Sequence, residues 1–148
     1  MIALDTNILA RFYVDDPGDP EASRQRPIAR RVMTESRSLF VPITVILELE
    51  WVLRAFYRFD ATQVIRVFEH LLGLAHVNTE EAERVAAALP LTEMGMDFAD
   101  ALHLSGSAHC AALYTFDDRR FARRARRLAG VTRVIVPDGK SVPEAKPR

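Results

Sequence analysis

The sequence predicts an α/β fold with a largely parallel sheet. Three observations carry that expectation: short apolar runs recur along the chain, a segment of helical periodicity follows each, and the two sharpest runs end in aspartate. Strands alternating with helices join in parallel, because each crossover helix returns the chain to the same sheet edge. In open sheets of this kind ligands bind beyond the carboxyl ends of the strands, so an acid at that point is a candidate site residue.

In order, Ile2-Ala3-Leu4 is a short buried strand that ends at Asp5. Ile8–Tyr13 reads as a short helix, and Asp15–Pro20 as a dense turn. Asp19 caps a second helix that starts at Pro20 and runs through Thr34, with Pro27 expected to kink or divide it. Leu39–Pro42 is the second strand, and Thr44 is expected to cap an apolar helix from Val45 to Tyr57. Asp60-Ala61-Thr62-Gln63 has capping-box spacing and opens a helix that ends at Gly73. Ala75–Asn78 is a third strand, and Thr79 caps a helix that stops near Pro90. Asp97–Ala111 is the next helix, Ala112–Phe116 a strand, and Asp117 and Asp118 lead into a helix through Leu128. Val131–Val136 is the last strand, giving one domain over 1–136 and a flexible tail over 137–148 with few residues able to pack.

The 148 residues, 49% of them hydrophobic, suit one domain with a sizeable core. Cys110 is the only cysteine, which excludes an internal disulfide and a cysteine-based zinc site. No basic leader opens the chain and no apolar stretch escapes charge long enough to span a bilayer, so a cytoplasmic protein without membrane contact is expected. Twenty basic residues balance twenty acidic ones, so distribution matters more than net charge.

The acids carry the candidate chemistry. Glu48 and Glu50 flank the core stripe Val45, Leu49, Val52, Leu53 and Phe56, and periodicity alone does not choose between them. Arg54 follows Glu50 by one turn in the favourable order for an ion pair, which gives Glu50 a structural role and leaves Glu48 without one. Asp97 and Asp100 share a helix face; dipole compensation accounts for Asp97 better than for Asp100, a turn further in. Asp117 ends its strand as Asp5 ends the first, and Asp118 offers an alternative cap for the following helix. Gathered at one sheet edge, Asp5, Glu48, Asp100 and Asp117 would repel one another unless a divalent cation neutralised them. Oxygen-only ligation suits magnesium or manganese, ions that support phosphodiester hydrolysis.

These segments resemble a known family. Ile2-Ala3-Leu4-Asp5-Thr6-Asn7, then Ile43–Leu53, then Asp97-Phe98-Ala99-Asp100-Ala101-Leu102-His103, then Leu113–Phe121 match in order the motifs of PIN domains, most closely the VapC toxins of VapBC toxin–antitoxin pairs. The resemblance implies a three-layer, Rossmann-like α/β/α fold with a central, mostly parallel sheet. It also implies a Mg2+- or Mn2+-dependent endoribonuclease, a homodimer inhibited by a VapB-type antitoxin, acting on transfer, ribosomal or messenger RNA. The family's acids carry over onto Asp5, Glu48, Asp100 and Asp117, with Asp97 as an additional acid and Thr6, Asn7 and Thr115 as polar residues that orient them. A metal-activated water then attacks the RNA phosphate in line, leaving a 3′-hydroxyl and a 5′-phosphate, with Asp117 completing the site or holding a second ion. His103, one turn after Asp100, is expected to be packed or solvent-facing.

Arg119, Arg120, Arg123, Arg124, Arg126 and Arg127 fall opposite Phe121, Ala122, Ala125 and Leu128 on one helix, whose start at Asp117 brings its cations near the proposed site. Of these, Arg119, Arg120, Arg123, Arg124 and Arg127 are candidates to contact RNA phosphates or an acidic antitoxin segment. Leu9, Phe12, Tyr13, Trp51, Phe56, Tyr57 and Phe59 serve the core, a dimer interface or an antitoxin groove. Rival readings are a PIN domain in RNA processing without an antitoxin and an inactive metal-, RNA- or protein-binding module. A phosphoacceptor domain would need a lysine late in the fold, and the only lysines, Lys140 and Lys146, lie in the tail.

Overall fold

The computed structural model describes residues 1–140. The chain divides into two compact units, one over Met1–Ala86 and one from Ala87 onward.

In the first unit, strands β1 (Ile2–Ala3), β2 (Leu39–Val41) and β3 (Val77–Thr79) form a parallel sheet in the order β1-β2-β3. Ile2 lies opposite Leu39, and Leu39 opposite Val77, so the carboxyl ends of all three strands point the same way. Helix α1 (Thr6–Tyr13) packs on α2 (Pro20–Glu35) and on α3 (Ile43–Trp51), and α4 (Ala61–Gly73) contacts β3. The core is apolar, with Leu9, Met33, Leu39, Val41, Ile46, Leu49, Leu53, Phe68 and Leu71 fully buried. Asp19 caps α2, and Asp60 with Gln63 forms the expected capping box at α4.

Several expectations are corrected. Proline 27 neither divides nor ends α2, and Pro90 lies inside α5 (Ala82–Glu93). Both prolines are exposed, and so are Ser23 and Ala86, the residues whose carbonyls lose a helical donor. Thr44 does not cap α3: Pro42 stands at the cap position without a side-chain bond, and the Glu80 carboxylate accepts from the Ile43 N–H at 2.8 Å instead. Thr79 belongs to β3, and the turn into α5 is made at Glu81, whose φ is +49°. The helix from Ile43 changes to a wide π-type turn over Val52–Phe56, which rotates the face presented by later residues. Phe56 is therefore 68% exposed rather than in the core stripe, and Ile46, Leu49 and Leu53 form that stripe.

In the second unit, α6 (Phe98–Gly106) ends five residues earlier than expected of a helix to Ala111. Strands β4 (Leu113–Tyr114) and β5 (Val134–Ile135) pair in parallel. Between them Asp118–Ala122 forms a π-type turn that continues into the short helix α7 (Arg123–Ala125). Phe98, Ala101, Leu102, Leu104, Phe121, Ala122, Ala125 and Val134 are buried. The five strands thus pair as a three-stranded and a two-stranded group, all in parallel, which is compatible with an α/β/α arrangement. Of the tail, Pro137–Lys140 is described, and 141–148 lies outside the described residues. Among the described residues no helix is long and apolar enough to cross a membrane.

Candidate active site

In the first unit Asp5 follows β1 and Glu80 follows β3, while Glu48 and Glu50 lie on α3. Asp5 is exposed and caps α1, its Oδ1 accepting from the Thr6 N–H at 2.7 Å. Beside it Thr6 is only 4% exposed, and its Oγ1 is buried without a hydrogen-bond partner. Asn7 is exposed. A buried hydroxyl left without a partner is costly, and one lying next to a strand-end carboxylate is suited to orienting an acid or a bound water.

The two glutamates of α3 separate as their neighbours require. Glu50 is 6% exposed and its Oε1 receives the Arg54 Nε–H at 2.7 Å. Glu48 is exposed and, among the described residues, makes no side-chain hydrogen bond or ion pair. Glu80 is the residue that sequence reasoning missed. It reads as part of an acidic first turn, whereas its carboxylate holds the start of the helix that carries Glu48. Only the register of β3 beside β2 places it there, with Val41 opposite Thr79, one residue before Glu80.

In the second unit Asp97, Asp100 and Asp117 lie within electrostatic reach of one another. Asp97 occupies the N-cap position of α6 but makes no capping bond. Its Oδ1 lies 3.5 Å from Arg124 Nη1 instead. Asp100, in the first turn, is half-buried, and burial is the main cause that raises its carboxyl above the usual aspartate range. The Asp97 charge raises it further and His103 opposes the rise, while Asp117 adds to it and Arg124 lowers it. His103 itself is exposed.

Asp117 caps the following turn through Oδ1, which accepts from the Arg120 N–H at 2.9 Å, while its own N–H donates to Thr115 Oγ1 at 3.1 Å. Thr115 therefore fixes the backbone that presents the acid. Asp118 does not cap that turn; it pairs with Arg126 at 3.0 Å. On the same stretch Phe121, Ala122 and Ala125 are buried, and Arg119, Arg120, Arg123 and Arg127 are exposed and in no ion pair among the described residues.

The donors are hard carboxylate oxygens with orphaned or crowded polar groups beside them, a set whose chemistry fits Mg2+ or Mn2+. Among the described residues no group of three or more His, Cys, Asp or Glu side chains is gathered closely enough to hold a metal ion. The acids of the second unit thus feel one another without forming a ligand cage.

A search of curated proteins finds no significant match. The family model described as the PIN domain matches residues 2–127, a span that includes every acid named above. The chain belongs to the PIN-domain family, whose fold is of nuclease type and whose members typically use divalent metal ions.

Proposed function

We propose that the protein is a divalent-metal-dependent endoribonuclease and the toxin of a type II toxin–antitoxin pair. The observation that carries the nuclease reading is the PIN family match over residues 2–127; beside it, the Asp100 carboxyl is raised chiefly by burial and further by the Asp97 and Asp117 charges. A cation would offset these charges, and membership of a family that typically uses divalent ions supports a divalent one. The toxin assignment rests on the VapC-like motifs around Asp5, Glu48, Asp100 and Asp117.

In this reading Asp5, Glu48, Asp100 and Asp117 hold Mg2+ or Mn2+, with Asp97 beside them. A bound divalent cation supplies charge neutralisation at the phosphoryl group and a more acidic water. The chain's own residues do the rest. Thr115 fixes the backbone N–H of Asp117, whose second oxygen, Oδ2, has no partner among the described residues. Glu80 anchors the helix that presents Glu48. Arg119, Arg120, Arg123, Arg124 and Arg127 face the RNA backbone, where guanidinium groups suit phosphate oxygens. Leu47 and Trp51, one turn apart on α3 and 38% and 57% exposed, offer an apolar surface for a second copy or a VapB-type antitoxin.

The test is incubation of the purified protein with total RNA in magnesium, manganese or chelator, beside Asp5→Asn, with 5′ ends mapped. Discrete metal-dependent cuts that the variant does not make are expected. Cuts that survive chelation or the substitution overturn the reading.

A further inference from the structure

Away from the strand-end acids, helices α1, α2 and α4 of the first unit leave an open groove of about 370 Å3, lined by Phe12, Tyr13, Arg30, Arg66, Val67 and His70. Half of its lining is rings. Phe12 lies near-parallel to His70 at a centroid distance of 6.3 Å, and Tyr13 stands edge-on to both, at 4.8 Å and 5.6 Å. The Tyr13 hydroxyl and His70 Nδ1 share a hydrogen bond of 2.9 Å, which fixes the rings against one another.

The rim is cationic and unpaired. Of the four arginines of α2, Arg24 pairs with Glu21, Arg26 with Asp15 and Arg31 with Glu35, whereas the Arg30 guanidinium makes no ion pair or hydrogen bond among the described residues. Arg66 behaves alike, although Glu69 stands one turn further along α4. On α1, Arg11 pairs with Asp19. The two arginines of these helices left without acids are therefore the two that line the groove, and no acid lines it. Flat apolar rings beside free guanidinium groups complement an anion that carries a ring of its own.

We propose that this groove is a subsite for single-stranded RNA, in which a nucleotide flanking the cut lays its base on the Phe12 and His70 rings and gives its phosphates to Arg30 and Arg66. The inference rests on the nuclease reading and deepens it, by adding a second contact on the substrate. Position favours RNA over a protein segment. Helix α1 carries Asp5 at its N-cap and Phe12 and Tyr13 in its last turn, about 12 Å further along the axis, so a strand cut beside Asp5 reaches the groove within a few nucleotides. Stacking on rings with phosphates on cations is how single strands are held without base-specific bonds.

The experiment is fluorescence anisotropy of a labelled mixed-sequence RNA of about 12 nucleotides, and of an abasic strand of the same length, in an Asp5→Asn background. All the substituted side chains are exposed, so the fold is spared. Arg30→Gln/Arg66→Gln is expected to bind the RNA about tenfold more weakly and to lower the logarithmic salt slope by about 1.4, at about 0.7 for each phosphate contact. Arg24→Gln/Arg31→Gln, which removes equal charge from paired positions on α2, should stay within about twofold. His70→Ala should weaken the RNA about fivefold and leave the abasic strand within about twofold, as loss of stacking requires. Equal loss in the two double variants, or none in Arg30→Gln/Arg66→Gln, overturns the subsite, while cleavage of total RNA by the wild type keeps the nuclease reading. A wild type that neither binds nor cleaves RNA overturns both. Capture of a glutamate-rich peptide by the groove, with RNA binding indifferent to every substitution, overturns the subsite in favour of a protein partner.

Discussion

Helix α3 carries two acids, and α6 carries one with a second at its N-cap; the two helices treat their pairs in opposite ways. On α3 the pair is separated: Glu50 is buried with Arg54, and Glu48 is exposed with no side-chain partner among the described residues. At α6 Asp97 pairs with Arg124 at 3.5 Å, and Asp100, raised chiefly by burial, is raised further by the Asp97 charge. The difference lies in the cations each helix provides. A basic residue one turn on absorbs an acid into the structure, whereas acids without one remain available, and crowding among available acids is what favours a cation.

The sharpest way to break this comparison is to neutralise the two glutamates of α3 in turn. Glu48→Gln is expected to lower metal-dependent RNA cleavage by more than about 100-fold with little change in melting temperature. Glu50→Ala should instead destabilise the protein by about 1–3 kcal/mol while cleavage survives in the folded fraction. Denaturant unfolding beside a cleavage assay separates them, and equal behaviour of the two variants would erase the distinction.

The next effect concerns Glu80. Its replacement by alanine removes the Glu80 side-chain bond to the Ile43 N–H at the start of α3, and the cost should be about 1 kcal/mol in chemical denaturation. Glu80→Gln should recover part of that loss, since an amide oxygen can still accept.

Asp100 gives a signed prediction. Its carboxyl titrates above the usual range, so the folded chain binds more protons than the unfolded chain across that interval. Stability therefore falls as pH rises through it, and at neutral pH the charged carboxylate is a burden. Asp100→Asn should raise the melting temperature by a few degrees at neutral pH, and the gain should vanish below about pH 3, where aspartate is protonated in both states. A variant that melts below wild type at neutral pH would contradict the assignment.

The smallest effect per residue belongs to the arginines that follow Asp117. Replacing Arg123, Arg124 and Arg127 together with glutamine should weaken RNA binding and flatten its salt dependence, each lost phosphate contact lowering the logarithmic slope by about 0.7. Binding that is unchanged across salt would remove these residues from the interface.

Much of this was legible from the sequence because it depends on near neighbours. The Glu50–Arg54 pair, the Asp60–Gln63 capping box, the Asp19 cap and the buried face of Phe121, Ala122 and Ala125 all follow from spacings of one helical turn. Contacts set by sheet register were not legible, as Glu80 at the start of α3 shows. Nor were the uninterrupted helices at Pro27 and Pro90, which depend on whether the freed carbonyl meets water or core. Phe56 was misplaced because a π-type turn is not encoded in a 3.6-residue pattern. The set of four acids came from motif order as well as from spacing, and the Asp97–Arg124 pairing from neither.

The central proposal is that Asp5, Glu48, Asp100 and Asp117 all serve divalent-metal binding. Calorimetric titration of Mn2+ into the wild type, Glu48→Gln, Asp100→Asn and Glu50→Gln tests it most directly. The account predicts binding by the wild type and Glu50→Gln, and a loss of affinity of more than about 10-fold in both Glu48→Gln and Asp100→Asn. Wild-type affinity in Glu48→Gln, with binding lost only in Asp100→Asn, would contradict it and confine the ion to the second unit.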